Sequence, residues 1–216
     1  NLKMPSVRPC IFALSLLVLN IDLALAYDER HLDQMKTLGA CSKCDLSESD
    51  LPKANLKEAN LEQADISKSI LRHGDFRGAN LVKASLRESD LTAAKLNFAN
   101  LKGANLEKSI LRYANLKNAN LKGAKLRKAD LSQAKLVKAN LARANLTKAM
   151  LRRVSLEGAN LSESNFQKSI LQDVNLSGAN LTRADFTGAK FENVWFIGAL
   201  YCRTKMPWGV EAPNCK

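Results

Sequence analysis

Ala54-Asn55-Leu56-Lys57-Glu58-Ala59-Asn60-Leu61 states a rule that the chain keeps from Cys44 to Tyr201. From Leu46 onward every fifth residue is bulky and apolar, 32 times in succession; 25 are Leu, and the others are Ile66, Phe76, Phe166, Phe186, Phe191, Phe196 and Tyr201. Two residues before each stands a small one, Ala in 21 units. Between the two there is usually Asn or Asp, as in Ala129-Asp130-Leu131. A helix advancing ~100° per residue would drift this stripe by ~140° at each step. A strand would send successive Leu residues to opposite faces. The backbone must therefore turn at regular intervals and return each Leu to a common interior. Asn and Asp suit such turns, because they tolerate left-handed backbone and bond their own main chain. Gly two residues past the apolar one, as at Gly103 and Gly123, points the same way. Self-similarity at a fixed period marks a solenoid, in which each unit touches only its neighbours.

These Ala-Asn/Asp-Leu-x-x units resemble the pentapeptide-repeat family over about three quarters of the chain. The resemblance implies an all-β fold, a right-handed β-solenoid of square section with four pentapeptides to a coil. Leu and the preceding Ala would point inward, and the other three positions would face solvent. Thirty-two units then make eight coils, a rod about 35–40 Å long at ~4.8 Å per rung. The expected organisation is a signal peptide at 1–26, a capping helix and linker at 27–43, the solenoid at 44–201 and a C-terminal cap at 202–216.

The first segment reads as an export signal: Arg8, an apolar run at 11–19, then Ala24-Leu25-Ala26 ahead of a cut before Tyr27. The run falls short of the ~20 apolar residues that span a bilayer. Asp28 suits a helix N-cap, Leu32, Met35 and Leu38 recur on one helical face, and Gly39 suits the stop. Such a helix would lid the open end of the solenoid. Four cysteines follow the cut: Cys41, Cys44, Cys202 and Cys215. Cys41-Ser42-Lys43-Cys44 and the tail from Cys202 to Cys215 resemble the ends of exported pentapeptide-repeat proteins, except for Trp208, where the family more often has a polar residue. In a rod of the implied length no bond joins the two ends. The disulfides expected are then Cys41–Cys44 and Cys202–Cys215. A redox centre or a zinc site with His31 is the alternative for the first pair; neither has the surrounding residues its chemistry wants.

The formal net charge is +12. It comes from the middle of the chain, where 95–153 holds 15 basic and two acidic residues. On a four-sided rod Lys102 and Lys122 fall on one side, Arg127, Lys128 and Lys148 on a second, Arg112, Arg152 and Arg153 on a third, and Lys117 and Lys138 on the last. With Arg143 they form a girdle. It would suit an anionic envelope polymer or lipid, or would simply keep a regular rod soluble. Nucleic acid is disfavoured, since only Phe98 and Tyr113 offer outward rings within the girdle. A second pattern lies over the first. Ile70, Ile110, Met150 and Ile170 replace the usual Asn or Asp at multiples of 20 residues and share one side, with Arg72, Arg112 and Arg152 following at intervals of 40. That column is a candidate docking face. Near the C-terminus Trp195 and Leu200 replace outward polar residues, a candidate end patch for a homodimer.

The sequence holds no catalytic constellation, no cofactor motif and no metal-ligand spacing. His73 reads as a solvated histidine and His31 as a surface one. The expectation is an exported, non-enzymatic scaffold that shows a rigid surface to a protein partner the sequence does not identify. A basic binding module is the alternative. Some pentapeptide-repeat proteins mimic DNA and occupy type II topoisomerases, but that role needs an acidic surface.

Overall fold

Most corners of the chain are turns closed on the carbonyl of the large apolar residue. Ala99 N–H donates to Leu96 O at 3.1 Å and Ala129 N–H to Leu126 O at 3.0 Å. The residue two past the apolar one carries the positive φ, as in Lys128 (φ 61), Tyr113 (φ 60) and Gly103 (φ 66). That is the third position of a type II turn. Left-handed backbone therefore falls to the residue two past the Leu, most often Lys or Gly, and not to the Asn or Asp before the Leu, which corrects the sequence expectation. Those residues do the other half of what was expected. Their side chains accept from the N–H two residues on, as Ser132 to Asp130 Oδ1 (3.0 Å) and Thr147 to Asn145 Oδ1 (3.0 Å).

A left-handed non-glycine residue costs about 1 kcal/mol, and bonds between coils offset it. Leu126 N–H donates to Asn145 O at 2.7 Å, Lys128 N–H to Thr147 O at 3.0 Å, and Asn145 N–H to Ala124 O at 2.9 Å. Parallel bridges join each residue before the Leu to the one 20 further on, from Ala40↔Asn60 to Asp185↔Lys205. One coil is thus four pentapeptides, and the rod has four sides, named here for Leu46, Leu51, Leu56 and Leu61.

The computed structural model describes residues 28–211. Helix α1 (Glu29–Leu38) precedes the coils. Longer pairing occurs on the Leu51 side, where β1 (Met150–Arg152), β2 (Ile170–Asn175) and β3 (Lys190–Trp195) form a parallel sheet in that order. Inside, the Leu column is buried from Leu56 through Leu181, and Phe166 stacks on Phe186 with ring centroids 4.7 Å apart. Where Ser replaces the inward Ala its hydroxyl finds a partner, usually a carbonyl: Ser89 Oγ donates to Ile66 O at 2.8 Å and Ser169 Oγ to Phe166 O at 2.6 Å. No buried side-chain polar atom of the described residues lacks a partner.

The ends are closed differently. Asp28 caps α1 by accepting from Arg30 N–H at 3.0 Å, and Gly39 ends it at φ 59. Met35 is buried against the first coil; the side chains of Leu32 and Leu38 lie outside the description. His31 is more than a surface residue, because its Nδ1 accepts the Asp45 N–H at 3.1 Å and fastens the helix to the solenoid. Cys41 and Cys44 are disulfide-bonded with Cα atoms 5.3 Å apart. At the other end the tail is a hairpin where a loop was expected: β4 (Thr204–Met206) and β5 (Gly209–Glu211) pair antiparallel. Thr204 and Met206 turn inward on either side of Lys205, a period-two alternation too short to stand out in sequence. Cys202 is disulfide-bonded. Its expected partner Cys215 and the expected signal peptide at 1–26 lie outside the described residues.

Candidate interaction surfaces

The coil register assigns every outward residue to a column. Lys102, Lys122 and Arg143 lie on the Leu61 side, around a shallow furrow of about 450 Å³ floored by Gly103 and Gly123. Arg127, Lys128 and Lys148 lie on the Leu46 side, Lys117 and Lys138 on the Leu56 side, and Arg112, Arg152 and Arg153 on the Leu51 side. Sequence could not show which are neutralised. Of the 15 basic residues in 95–153, four make ion pairs: Lys108 with Glu88 (2.7 Å), Arg127 with Glu107 (3.4 Å), Arg143 with Glu163 (2.9 Å), and Arg112 with Asp130. Arg152 and Arg153 are the two arginines of the girdle that make none.

The aliphatic column is on the Leu51 side and is discontinuous, as its spacing in the sequence implies. Its order along the rod is Asp50, Ile70, Asp90, Ile110, Asp130, Met150, Ile170 and Lys190. Ile70 and Ile110 each stand between two acids and are exposed; Met150 and Ile170 adjoin and are half-buried. Asp90 and Asp130 are partners of the arginines one coil below. Arg72 Nε donates to Asp90 Oδ2 at 2.5 Å, and Arg112 Nε donates to Asp130 Oδ2. Burial works against ionisation of Asp130, but hydrogen bonds from Ser132 and then Arg112 outweigh it and hold the carboxyl below its usual range. Asp90 is held down in the same way by Thr92 and Arg72. The third arginine of the series, Arg152, has Ile170 where the other two have an acid. The pairing escaped the sequence reading although the signal was present: partners stand 18 residues apart at 72/90 and 112/130, and the match fails at 152/170.

Around that failure the surface is concave. A hollow of about 360 Å³ is lined by Arg112, Tyr113, Arg152, Arg153, Gln172 and Asp173, with Ser132 and Gln133. Tyr113 Oη accepts from Gln133 Nε2 at 3.0 Å, and Asp173 Oδ1 accepts from Asn193 Nδ2 at 3.0 Å.

At the C-terminal end Trp195 and Leu200 are exposed, joined by Ile197, which the sequence reading did not single out. Phe191, Phe196 and Tyr201 are partly buried beneath them, and Trp208 meets Phe191 edge-on at 5.7 Å. The coil below donates upward, as Gly178 N–H to Ile197 O at 2.8 Å. The corresponding Phe196, Gly198 and Tyr201 N–H groups have no backbone acceptor among the described residues.

Chemistry is sparse. Among the described residues no group of three or more His, Cys, Asp or Glu side chains is placed to hold a metal ion, and no helix is long and apolar enough to cross a membrane. His73 lies outward on the Leu51 side, over a broad depression with Lys53, Asp75 and Arg77.

Comparison with known proteins agrees with this architecture. Eight copies of the family model described as pentapeptide repeats match, in overlapping stretches at 41–78, 71–107, 89–127, 99–136, 124–162 and 159–198. No curated protein matches the chain. Among solved structures it is similar to HetL, a pentapeptide repeat protein involved in heterocyst differentiation regulation from the cyanobacterium Nostoc sp. strain PCC 7120. The identity is 32%, over 80% of this chain and 87% of that one, with a TM-score of 0.38. A pentapeptide repeat protein from the Arabidopsis thaliana thylakoid lumen is 32% identical over 47% of this chain and 71% of that one, with a TM-score of 0.47. Full-length QnrB1, a plasmid-mediated fluoroquinolone resistance protein, is 19% identical over 69% and 90%, with a TM-score of 0.26. The repeat matches run through most of the chain, and the five-residue unit they describe is the one that builds its coils; the protein belongs to the pentapeptide-repeat family.

Proposed function

We propose that the protein is an exported, non-catalytic scaffold whose rigid rod presents its Leu51 side to a protein partner. The observation that carries this reading is the aliphatic interruption of that side. Ile70, Ile110, Met150 and Ile170 occupy an outward position that most units give to Asn, Asp, Lys or Ser. Fully burying such a side chain is worth about 1.5–3 kcal/mol, and the rod by itself leaves part of that unrealised. Export is supported by the leader-like residues 1–26 and by disulfide-bonded Cys41, Cys44 and Cys202, since such bonds persist in oxidising compartments. The test is cross-linking and pull-down from an envelope fraction with residues 27–216, beside a variant carrying Ile110→Ser and Met150→Ser. A partner kept by the first and lost by the second is the expected result; the same set on both, or none on either, overturns the reading.

A second reading rests on the eleven basic residues of 95–153 that make no ion pair. They would hold an anionic envelope polymer or lipid, and retention on heparin or acidic vesicles should then fall steeply with salt. Salt-insensitive retention, or none, removes it.

A further inference from the structure

The Leu51 side repeats every 40 residues, and the third repeat is broken in one place. In the first two, an arginine at the outward position after the Leu reaches the acid one coil above: Arg72 to Asp90, Arg112 to Asp130. In the third, that acid is replaced by Ile170, and Arg152 makes no ion pair or side-chain hydrogen bond. The same replacement has a second consequence. Ile110 stands between Asp90 and Asp130, whereas Met150 and Ile170 are register partners in β1 and β2 with no acid between them. One substitution relative to the repeat thus creates an unopposed guanidinium and a two-residue aliphatic step together.

We propose that this place, at the sixth and seventh coils, binds an extended segment of the protein partner carrying an aliphatic and an acidic side chain two residues apart. The inference rests on the scaffold reading and names the chemistry of its contact. Met150 and Arg152 are both outward on β1, with buried Leu151 between them. They are separated by two strand residues, about 6.6 Å. A segment crossing the rod alongside β1 and β2 has the same spacing between its own alternate side chains. Its aliphatic group lies on Met150 and Ile170, and its carboxylate takes the bidentate fork of Arg152. Arg153 lines the same hollow and adds positive charge. Two acids stand near. Asp173, one coil above Arg153, is turned to Asn193 at 3.0 Å. Glu192 lies two coils above Arg152 in its column, beyond Gln172. A polyanion without aliphatic groups would spread over the girdle on all four sides and would gain nothing from Met150 and Ile170.

The experiment uses isotope-labelled residues 27–216 and amide chemical shifts. The probe is the capped peptide Ser-Leu-Ser-Glu-Ser; one control replaces its Glu by Gln and the other its Leu by Ser. The Leu/Glu peptide should shift amides at 150–153 and 170–172, and each control should bind at least about fivefold more weakly. Ile170→Asp is the decisive variant, because Asp stands natively at 50, 90 and 130 in this column and the fold accepts it there. It should restore an acid beside Arg152 and weaken the peptide by about tenfold or more, with the thermal midpoint retained. Arg152→Gln should weaken it comparably, while Lys117→Gln on the Leu56 side leaves it unchanged. Equal binding of the Gln control, shifts spread over all four sides, or undiminished binding to Ile170→Asp would overturn the site. A cross-linked partner lost with Ile110→Ser and Met150→Ser but retained by Ile170→Asp would overturn this site and leave the scaffold standing.

Discussion

At the scale of single residues, each unit divides its work among five positions. The large apolar residue fills the axis, the small one lets the backbone come close, and Asn or Asp ties down the turn. The residue two past the Leu bears left-handed backbone. Leu116, fully buried in the middle of the column, should lose about 3 kcal/mol on substitution by Ala, measurable from the urea midpoint. Lys128 tests the turn. At φ 61 a β-branched side chain is strained, so Lys128→Val should lose about 1 kcal/mol. Lys128→Gly should change little, because relief of strain and the greater freedom of the unfolded chain oppose each other. Asp130 tests the charge. Its folded-state pKa is depressed, so its contribution is present above the unfolded carboxylate range, near pH 4, and lost as pH falls through the lower folded value. Asp130→Asn keeps an acceptor for Ser132 N–H but loses the charge that meets Arg112. It should cost about 1 kcal/mol or less at neutral pH, and the difference from wild type should vanish in acid.

At the scale of elements, the helix was legible and the tail only partly so. Asp28 and Gly39 bracket α1 as their chemistry suggests, because caps are local and visible in sequence. The bond from Asp45 N–H to the His31 ring was not legible, since it depends on how the helix folds back over the first coil. The β4–β5 hairpin was missed for a similar reason: two three-residue strands carry too little pattern of their own. The Cys41–Cys44 bond closes a short loop, and the chain-entropy relation gives it about 2 kcal/mol. Replacing both by Ser should chiefly loosen the N-terminal coil, because a solenoid unit supports only its neighbours. Hydrogen exchange should rise at the amides of 41–65 and stay unchanged beyond the third coil.

At the scale of the molecule, the rod has two unlike ends. The N-terminal end is covered by α1; the C-terminal end shows Trp195, Ile197 and Leu200 beside N–H groups of Phe196, Gly198 and Tyr201 that have no backbone acceptor among the described residues. Both features favour a second rod against that end. Leu200 follows a column of Asn from Asn60 to Asn180, so Leu200→Asn with Trp195→Ser returns it to a polar type. Sedimentation at about 100 µM should show dimer for the wild type and monomer for the double variant; a wild-type monomer would remove the end contact.

The sequence by itself determined the solenoid and its interior; the coil length came with the resemblance to the pentapeptide-repeat family. A strict five-residue period admits neither helix nor strand, and a bulky apolar residue at every fifth position is a local rule repeated without exception from Leu46 to Tyr201. With four units to a coil taken from that resemblance, counting also fixed which side each outward residue occupies. Only the tertiary structure decided which outward groups meet. Each has a neighbour in the coil above, in the coil below and along a diagonal, and period alone does not choose among them. That choice pairs Arg112 with Asp130 and leaves Arg152 beside Ile170. It depends on side-chain reach across a stack of separate turns, which a one-dimensional pattern does not contain.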